Sequence, residues 1–139
     1  MELDQALNFA AQHRTATLIT IRRDGRPQSS DVAYDIKDGV IRISVTDDRA
    51  KTRNMRRDQR VVIHVSEPDQ WSYVSFDGTV TLTDVTTEPG DATSRLLADQ
   101  YESVSGKPHP DWDEFFAAMV DERRLLAQLR PTSAVGMLH

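Results

Sequence analysis

The stretch that decides the fold is DGVIRISVTDDRAKTRNMRRDQRVVIHV, residues 38–65. It begins with Asp-Gly, a pair that tolerates the positive φ angles of a tight turn. Isoleucine and valine then alternate with polar residues over 41–46, which predicts a strand with one buried and one polar face. The same alternation returns over 61–65 and predicts another strand. The basic segment between them, about Arg49 to Arg57, is expected to be a short helix.

This basic segment carries most of the positive charge of the chain. Residues 49–60 contain six Lys and Arg against one Asp, a charge of +5, which leaves −10 for the rest of a chain whose net charge is −5. In a helix capped by Asp47 or Asp48, Arg49 and Arg53 lie on one side near the partly positive N-terminus. Guanidinium groups in that position suit a phosphate or a polycarboxylate. The alternative is a solvated basic face without a ligand.

Strands are also predicted on both sides of this stretch. Thr15 to Arg22 and Pro27 to Tyr34 flank Asp24-Gly25, which predicts a hairpin. Trp71 to Thr83 is extended, with Asp77-Gly78 at its middle. A glycine there fits either a hairpin turn or a β-bulge in one long strand, and the residues alone leave both open.

Helices are expected at the N-terminus and in the acidic part of the chain, residues 84–122. Residues 2–12 form one short amphipathic pattern, and a second helix begins near Pro89. A third follows Asp111 and Glu114, which have the spacing of a capping box. A last extended segment, Leu125 to Met137, returns to the sheet. The pattern predicts a single α+β domain over residues 1–139, with a barrel-like sheet and helices around it.

Composition and missing motifs exclude several classes of protein. The absence of cysteine excludes zinc fingers, thioredoxin-like proteins, iron–sulfur proteins and thiol nucleophiles. The four histidines are scattered, so no metal site is expected. The G-x-S-x-G, P-loop and G-x-G-x-x-G motifs are absent. No stretch resembles a signal peptide or a membrane span, so we expect a cytoplasmic protein without a membrane partner. The negative charge outside residues 49–60 also argues against a nucleic-acid partner.

Four segments carry a resemblance to a known family, in the order in which that family has them. They are TATLITIRRDGRPQSSDVAY (15–34), the 38–65 stretch, WSYVSFDGTVTLTD (71–84) and PDWDEFFAAMVDERRLLAQLRPTSAVG (110–136). Together they resemble the split-barrel flavin and deazaflavin oxidoreductases, the pyridoxamine 5′-phosphate oxidase-like superfamily. The likeness is closest to the actinobacterial branch that uses coenzyme F420. It covers nearly the whole chain, and its most specific parts are DGRPQ and RAKTRN.

The resemblance implies a fold, an assembly and a set of site residues. The fold is an α+β split β-barrel of six to seven mostly antiparallel strands, of Greek-key type, with flanking helices and with Gly78 in a bulge. The assembly is a homodimer with two cofactor sites at its interface. The implied phosphate-binding residues are Arg49, Lys51, Thr52 and Arg53, with Ser44 and Thr46 on the preceding strand. The implied residues at the cofactor ring are Gln28, Ser29, Ser30 and Asp31. The residues implied to reach the partner's site are Trp71 and Tyr73, for which simple core or interface packing is the alternative.

Asp31 departs from the family pattern, which often has a neutral residue there, and a carboxylate near an anionic cofactor needs a compensating base. The activity implied is that of an F420-dependent reductase transferring hydride to a small conjugated or electron-poor organic substrate. The cofactor carries the chemistry, which explains why no catalytic residue stands out. F420 has a phosphate and an oligoglutamate tail, so a +5 patch suits it better than FMN. The alternatives are an FMN-binding, pyridoxamine-phosphate-oxidase-like oxidoreductase and a non-catalytic carrier or sensor of F420 or FMN.

Overall fold

A computed structural model describes all 139 residues as one seven-stranded antiparallel sheet with four α-helices. The strands are β1 (Thr15–Ile21), β2 (Pro27–Ala33), β3 (Asp35–Lys37), β4 (Val40–Thr46), β5 (Arg60–Glu67), β6 (Ser72–Leu82) and β7 (Arg124–Met137). The helices are α1 (Leu3–Ala10), α2 (Ala50–Arg57), α3 (Ala92–Ser105) and α4 (Trp112–Asp121), and one 3-10 turn spans Pro68–Gln70. No helix is long and apolar enough to cross a membrane.

The sheet curls into a barrel that stays open along one line. Its strand order is β2-β1-β5-β6-β7-β4-β3, so β2 and β3 are its two edges. Only Tyr34 separates these edge strands in the sequence. The two edges of the sheet therefore meet at Tyr34. Because β3 is only three residues long, β2 also lies beside β4, and no hydrogen-bonded ladder joins these two strands. This is the expected α+β split barrel, with seven strands.

The interior of the barrel is filled by the apolar side of each strand. Twenty buried residues form one cluster, which includes Leu18, Ile43, Ile63 and Phe76. Tyr34 lies in the same cluster, and its hydroxyl donates a hydrogen bond of 2.6 Å to the carbonyl oxygen of Ala10. Burial raises the pKa of this hydroxyl. The predicted alternation is confirmed along β5 and, except at Arg42, along β4, where Ile41, Ile43 and Val45 are buried and Ser44 and Thr46 are partly exposed.

Gly78 lies within one continuous strand, next to a bulge whose extra residue is Thr132 of β7 rather than Gly78 itself. β6 pairs with β5 and β7 on both sides of a register shift between Asp77 and Gly78. A Cβ atom at Gly78 would lie 2.7 Å from the carbonyl oxygen of Arg130 and 2.8 Å from Cδ2 of Leu129. The hairpin alternative is therefore wrong, and the glycine is needed because β7 approaches so closely.

The predicted cap of α2 is wrong. The N-cap residue is Arg49, and its side chain makes no capping bond. Asp47 instead pairs with Arg56 and Arg123, each at 2.7 Å, and Asp48 accepts a hydrogen bond from the Thr46 hydroxyl. Since these carboxylates are held elsewhere, the first N–H groups of α2 are left without a side-chain acceptor.

Arg42 also departs from the sequence pattern, which placed it on a solvated strand face. Its side chain is buried, and its guanidinium donates two hydrogen bonds to Asp35 and one to Asp99. The carboxylate of Asp35 raises the pKa of Arg42. Helix α3 packs over this pair, with Gln100 donating to the carbonyl oxygen of Arg42 at 3.3 Å. The polar face of β4 is thus covered by α3.

The two acidic helices pack together on the outside of the barrel. Leu97 of α3, Phe115 of α4 and Leu126 of β7 form a second small core. Asp111 caps α4 as predicted, accepting from the backbone N–H of Glu114 at 3.1 Å. This packing positions α3 beside the split between β2 and β4.

Candidate cofactor site

A cavity of about 310 Å³ lies at the split between β2 and β4. We call it the split cavity. Its lining comes from Asp31–Ala33 of β2, Ser44 of β4, Lys51 of α2, Arg124 of β7, and Gln100, Tyr101 and Val104 of α3. One wall is apolar and aromatic, while the end beside α2 carries two cations. This combination fits a ligand with an anionic end and a flat apolar body.

At the cationic end of the split cavity, no carboxylate of the chain neutralises Lys51. The Lys51 ammonium forms no ion pair, and burial, together with repulsion from Arg49 and Arg124, lowers its pKa. Arg124 donates to the Ser44 hydroxyl at 3.2 Å and to Glu122 at 2.8 Å. The uncapped N-terminus of α2 adds partial positive charge. A phosphate fits these donors and would stabilise the charged form of Lys51.

A second, larger cavity of about 850 Å³ lies on the other side of α2. We call it the arginine cleft, because five arginines line it: Arg22, Arg23, Arg53, Arg56 and Arg57. The first two come from the turn after β1 and the others from α2. Only Asp24, 3.2 Å from Arg22, and Asp47, 2.7 Å from Arg56, form ion pairs with this group. The cleft therefore carries a large excess of positive charge.

Helix α2 separates the residues expected at the phosphate. Lys51 lines the split cavity, whereas Arg53 lines the arginine cleft and donates to the carbonyl oxygen of Asp48 at 2.5 Å. Thr52 is buried and lines neither cavity, and its hydroxyl donates to the carbonyl oxygen of Thr46 at 2.6 Å. Arg49 is exposed and near Lys51. The expected cradle is thus divided between two faces of one helix.

Strand β2 divides the residues expected at the cofactor ring in the same way. Gln28 and Ser30 lie on the side of the buried β1 residues Thr20 and Leu18, while Ser29 and Asp31 are exposed on the opposite side. Gln28 lines the arginine cleft, where its Oε1 accepts from Asn54 at 2.8 Å. Of the four, only Asp31 lines the split cavity.

Trp71 and Tyr73 belong to an exposed surface near the start of β6. Trp71 follows the 3-10 turn with a φ of 52° and is 82% exposed, so packing in the core of its own chain is wrong for this residue. Tyr73 is opposite Met137 of β7, and Val135 and Met137 are also exposed. We call Trp71, Tyr73, Val135 and Met137 the apolar face. Such a face on a small domain is typical of a protein interface.

Several site residues escaped the sequence analysis. Arg124 enters the split cavity because it pairs with Thr46 across β4 and β7, and that pairing is not visible in the sequence. For Gln100 and Tyr101 the sequence pattern predicts only that they belong to a helix, and it gives no sign that they line a cavity. Arg22 and Arg23 adjoin the Asp-Gly turn. Two consecutive arginines beside a turn are the one feature of the sequence that could have indicated the arginine cleft. No cluster of three or more His, Cys, Asp or Glu residues is close enough to hold a metal ion.

The curled sheet and the cavity at its open line define the class of protein, a split barrel of the flavin-binding oxidoreductase type. The model of the pyridoxamine 5′-phosphate oxidase family matches residues 3–134. The chain belongs to this family, whose members are mostly oxidoreductases and typically dimeric.

Solved structures agree with this assignment. A conserved hypothetical protein from Mycobacterium tuberculosis is 25% identical with a TM-score of 0.79, over 100% of this chain and 86% of the other. A structure named F420 reductase is 24% identical with a TM-score of 0.65, over 88% and 89% of the two chains. An FAD-binding protein from Mesorhizobium loti is 18% identical with a TM-score of 0.69, over 98% and 92%. The last two likenesses establish the fold alone.

Proposed function

We propose that this protein is a reductase that binds the deazaflavin coenzyme F420 and transfers hydride to a small conjugated or electron-poor organic substrate. The observation that carries the proposal is the pair of cationic cavities on the two sides of α2. A phosphate in the split cavity satisfies Lys51 and Arg124. That site alone would serve FMN equally well, because FMN also ends in one phosphate.

The arginine cleft favours F420 over FMN. The oligoglutamate tail of F420 adds several carboxylates, and guanidinium groups bind carboxylates with paired hydrogen bonds. Arg23 and Arg53 form no ion pair within the chain and are available for such contacts. The similarity to the structure named F420 reductase supports the same choice.

The bound coenzyme supplies the hydride, and the chain supplies position and charge. Lys51, Arg124 and the N-terminus of α2 would hold the phosphate. The flat body of the ligand would then lie between β2 and α3, where Asp31 lines the cavity and Tyr101 and Val104 of α3 would exclude water from one side. The positive charge at the phosphate end compensates the carboxylate of Asp31.

Binding measurements on the apoprotein test this proposal. We expect F420 to bind more tightly than FMN. Replacing Lys51 with Gln removes a charged hydrogen-bond donor and should weaken the binding of both cofactors about tenfold or more. The double variant R22Q/R23Q should weaken F420 but leave FMN unchanged. The matched control is Arg95→Gln, an exposed arginine of α3 outside both cavities. Tight FMN binding without F420 binding would refute the choice of cofactor.

Activity measurements separate a reductase from a carrier. Reduced F420 is mixed with the protein and a panel of enones, quinones and nitro compounds, and its oxidation is followed by absorbance. Oxidation that depends on the protein and on a member of the panel supports the reductase. Tight F420 binding without oxidation against any member would favour the non-catalytic carrier.

We also propose that the apolar face forms a homodimer interface that brings Trp71 and Tyr73 to the partner's cofactor site. The exposure of Trp71, Val135 and Met137 supports this proposal. The double variant W71E/V135E should shift the mass measured by light scattering from dimer to monomer and weaken F420 binding. Leu96→Glu is the matched control, because Leu96 is an exposed apolar residue of α3 away from this face. A monomeric wild-type protein would contradict the proposal.

A further inference from the structure

A row of polar side chains crosses the outer face of the sheet next to the apolar face. Thr17 of β1 is opposite Asp31 on one side and opposite His64 on the other, and His64 is opposite Ser75. Residues opposite each other in antiparallel strands have Cβ atoms about 5 Å apart, which places Asp31 and His64 about 10 Å apart across Thr17.

These residues line a separate pocket of about 420 Å³. Its polar side chains are Thr15, Thr17, Asp31, His64 and Ser66. None of these side chains forms a hydrogen bond or an ion pair within the chain, although each carries a strong donor or acceptor. The only non-polar member is Ala16. A concave surface with this many unused polar groups is suited to a hydrogen-bonding ligand.

His64 differs from the other histidines in the body of the fold. His13 bonds to the carbonyl oxygen of Phe9 at 3.0 Å and lies 3.3 Å from Glu67. His109 accepts from the backbone N–H of Asp111 at 3.0 Å. The ring nitrogens of His64 have no partner, and its only specific contact is a stack on Tyr73 with 5.2 Å between ring centroids. Stacking fixes the ring and leaves its nitrogens free for a ligand.

We infer that this pocket is the substrate site of the proposed reductase and that His64 is its proton donor, with an α,β-unsaturated carbonyl compound or a quinone as substrate. The inference rests on the proposed function. Asp31 lines both this pocket and the split cavity, so a cofactor anchored at Lys51 and extending along β2 reaches the edge of the pocket. The polar row then faces the carbonyl end of the substrate.

The reaction at this site balances with the groups named. Reduced F420, when bound, would supply a hydride to the β-carbon of the substrate and release its own proton to water, while the π electrons would move onto the carbonyl oxygen. That oxygen would take a proton from the protonated imidazole of His64, giving the enol, which rearranges to the saturated carbonyl product. Water returns the proton to His64. Imidazole suits this step because its protonation changes in the physiological pH range.

The first test needs no cofactor. Menadione, a quinone, is titrated into the apoprotein while the ring signals of the four histidines are followed by NMR. We expect the His64 signals to shift and saturate, while those of His13 and His109 stay in place. His64→Phe keeps an aromatic ring beside Tyr73 but has no N–H group, so it should weaken menadione binding about two- to tenfold. His13→Phe is the matched control and should bind menadione like the wild type.

The second test uses the loaded enzyme. The rate of substrate reduction should fall in His64→Gln, because the amide cannot transfer a proton to the substrate oxygen. F420 binding should be unchanged in both His64 variants. If F420 binds while menadione leaves His64 unaffected, this inference is wrong and the proposed cofactor stands. If menadione binds at His64 but F420 does not bind, the substrate pocket stands and the proposed function is wrong.

Discussion

Replacing Asp35 with Asn breaks the buried ion pair that joins β3 to β4. Asp35 and Arg42 are 7% and 5% exposed, and Asp35 accepts two hydrogen bonds from the guanidinium. Removing one partner of a buried pair costs about 3–5 kcal/mol, because the other charge is left buried. Arg42 keeps its 2.8 Å bond to Asp99 in this variant. We therefore expect the lower end, about 3 kcal/mol.

Urea unfolding followed by circular dichroism measures this loss. The midpoint should fall without a change in slope, and for a domain of this size the melting temperature should fall by about 12 °C. Asp58→Asn is the control, because the Asp58–Arg60 pair is at the surface, with a mostly exposed Arg60 side chain, and should matter little.

A double variant separates the cost of an unpaired charge from the value of the pair. D35L/R42M replaces both groups with apolar side chains, and its free energy of unfolding should return to within about 1 kcal/mol of the wild type. A loss below 1 kcal/mol in Asp35→Asn, or a double variant as unstable as the single one, would refute the reasoning. The same substitution should disturb the split cavity. Helix α3 contacts Arg42 through Asp99 and Gln100 and forms one wall of that cavity.

Three further outcomes are expected. F420 and FMN should bind more weakly as the pH rises through the lowered pKa of Lys51, because the neutral amine no longer attracts phosphate, and Lys51→Arg should flatten this dependence when affinities are measured by titration calorimetry. Asp91 caps α3 and, despite the opposing effect of burial, hydrogen bonds from Ser94, Thr87, Thr86 and Glu88 lower its pKa. Its contribution to stability is thus present above the unfolded-state pKa of about 3.9 and lost as the pH falls below it, and Asp91→Ala should cost about 1 kcal/mol at pH 7 but less near pH 2 in urea unfolding. Gly78→Ala should lower the free energy of unfolding by about 1–3 kcal/mol, since its Cβ atom would meet the backbone of β7, and an unchanged urea midpoint would contradict the close approach.

Most elements of this fold were predictable because each depends on neighbouring residues, but the three-residue strand β3 was not predicted. Alternation placed β4 and β5, the Asp-Gly pair at 24–25 placed the first hairpin, and Asp111 marked the start of α4. Whether Gly78 lies in a hairpin turn or in one long strand with a bulge was open from the residues alone, because a turn and a bulge use glycine for the same backbone freedom. Pairing with β7 decided it, and that contact joins distant parts of the chain.

The candidate site was predictable in location but not in arrangement. The charge of residues 49–60 pointed to an anion site at α2, and both cationic cavities adjoin this helix. The side of α2 on which each cation lies depends on how Asn54 and Met55 dock the helix against the barrel. That docking sends Lys51 to one cavity and Arg53 to the other.

The sequence by itself determined the α+β class, the order of the helices and of every strand except the short β3, and the concentration of positive charge on one short helix, because periodicity, turn chemistry and composition are local properties. The tertiary structure decided where the sheet opens, that Arg42 is buried against Asp35, and that Arg124 joins Lys51 in the split cavity. These features depend on the pairing of β4 with β7 and on the packing of α3 over β4. A strand pattern shows that a face is polar, but what covers that face depends on residues far away in the chain.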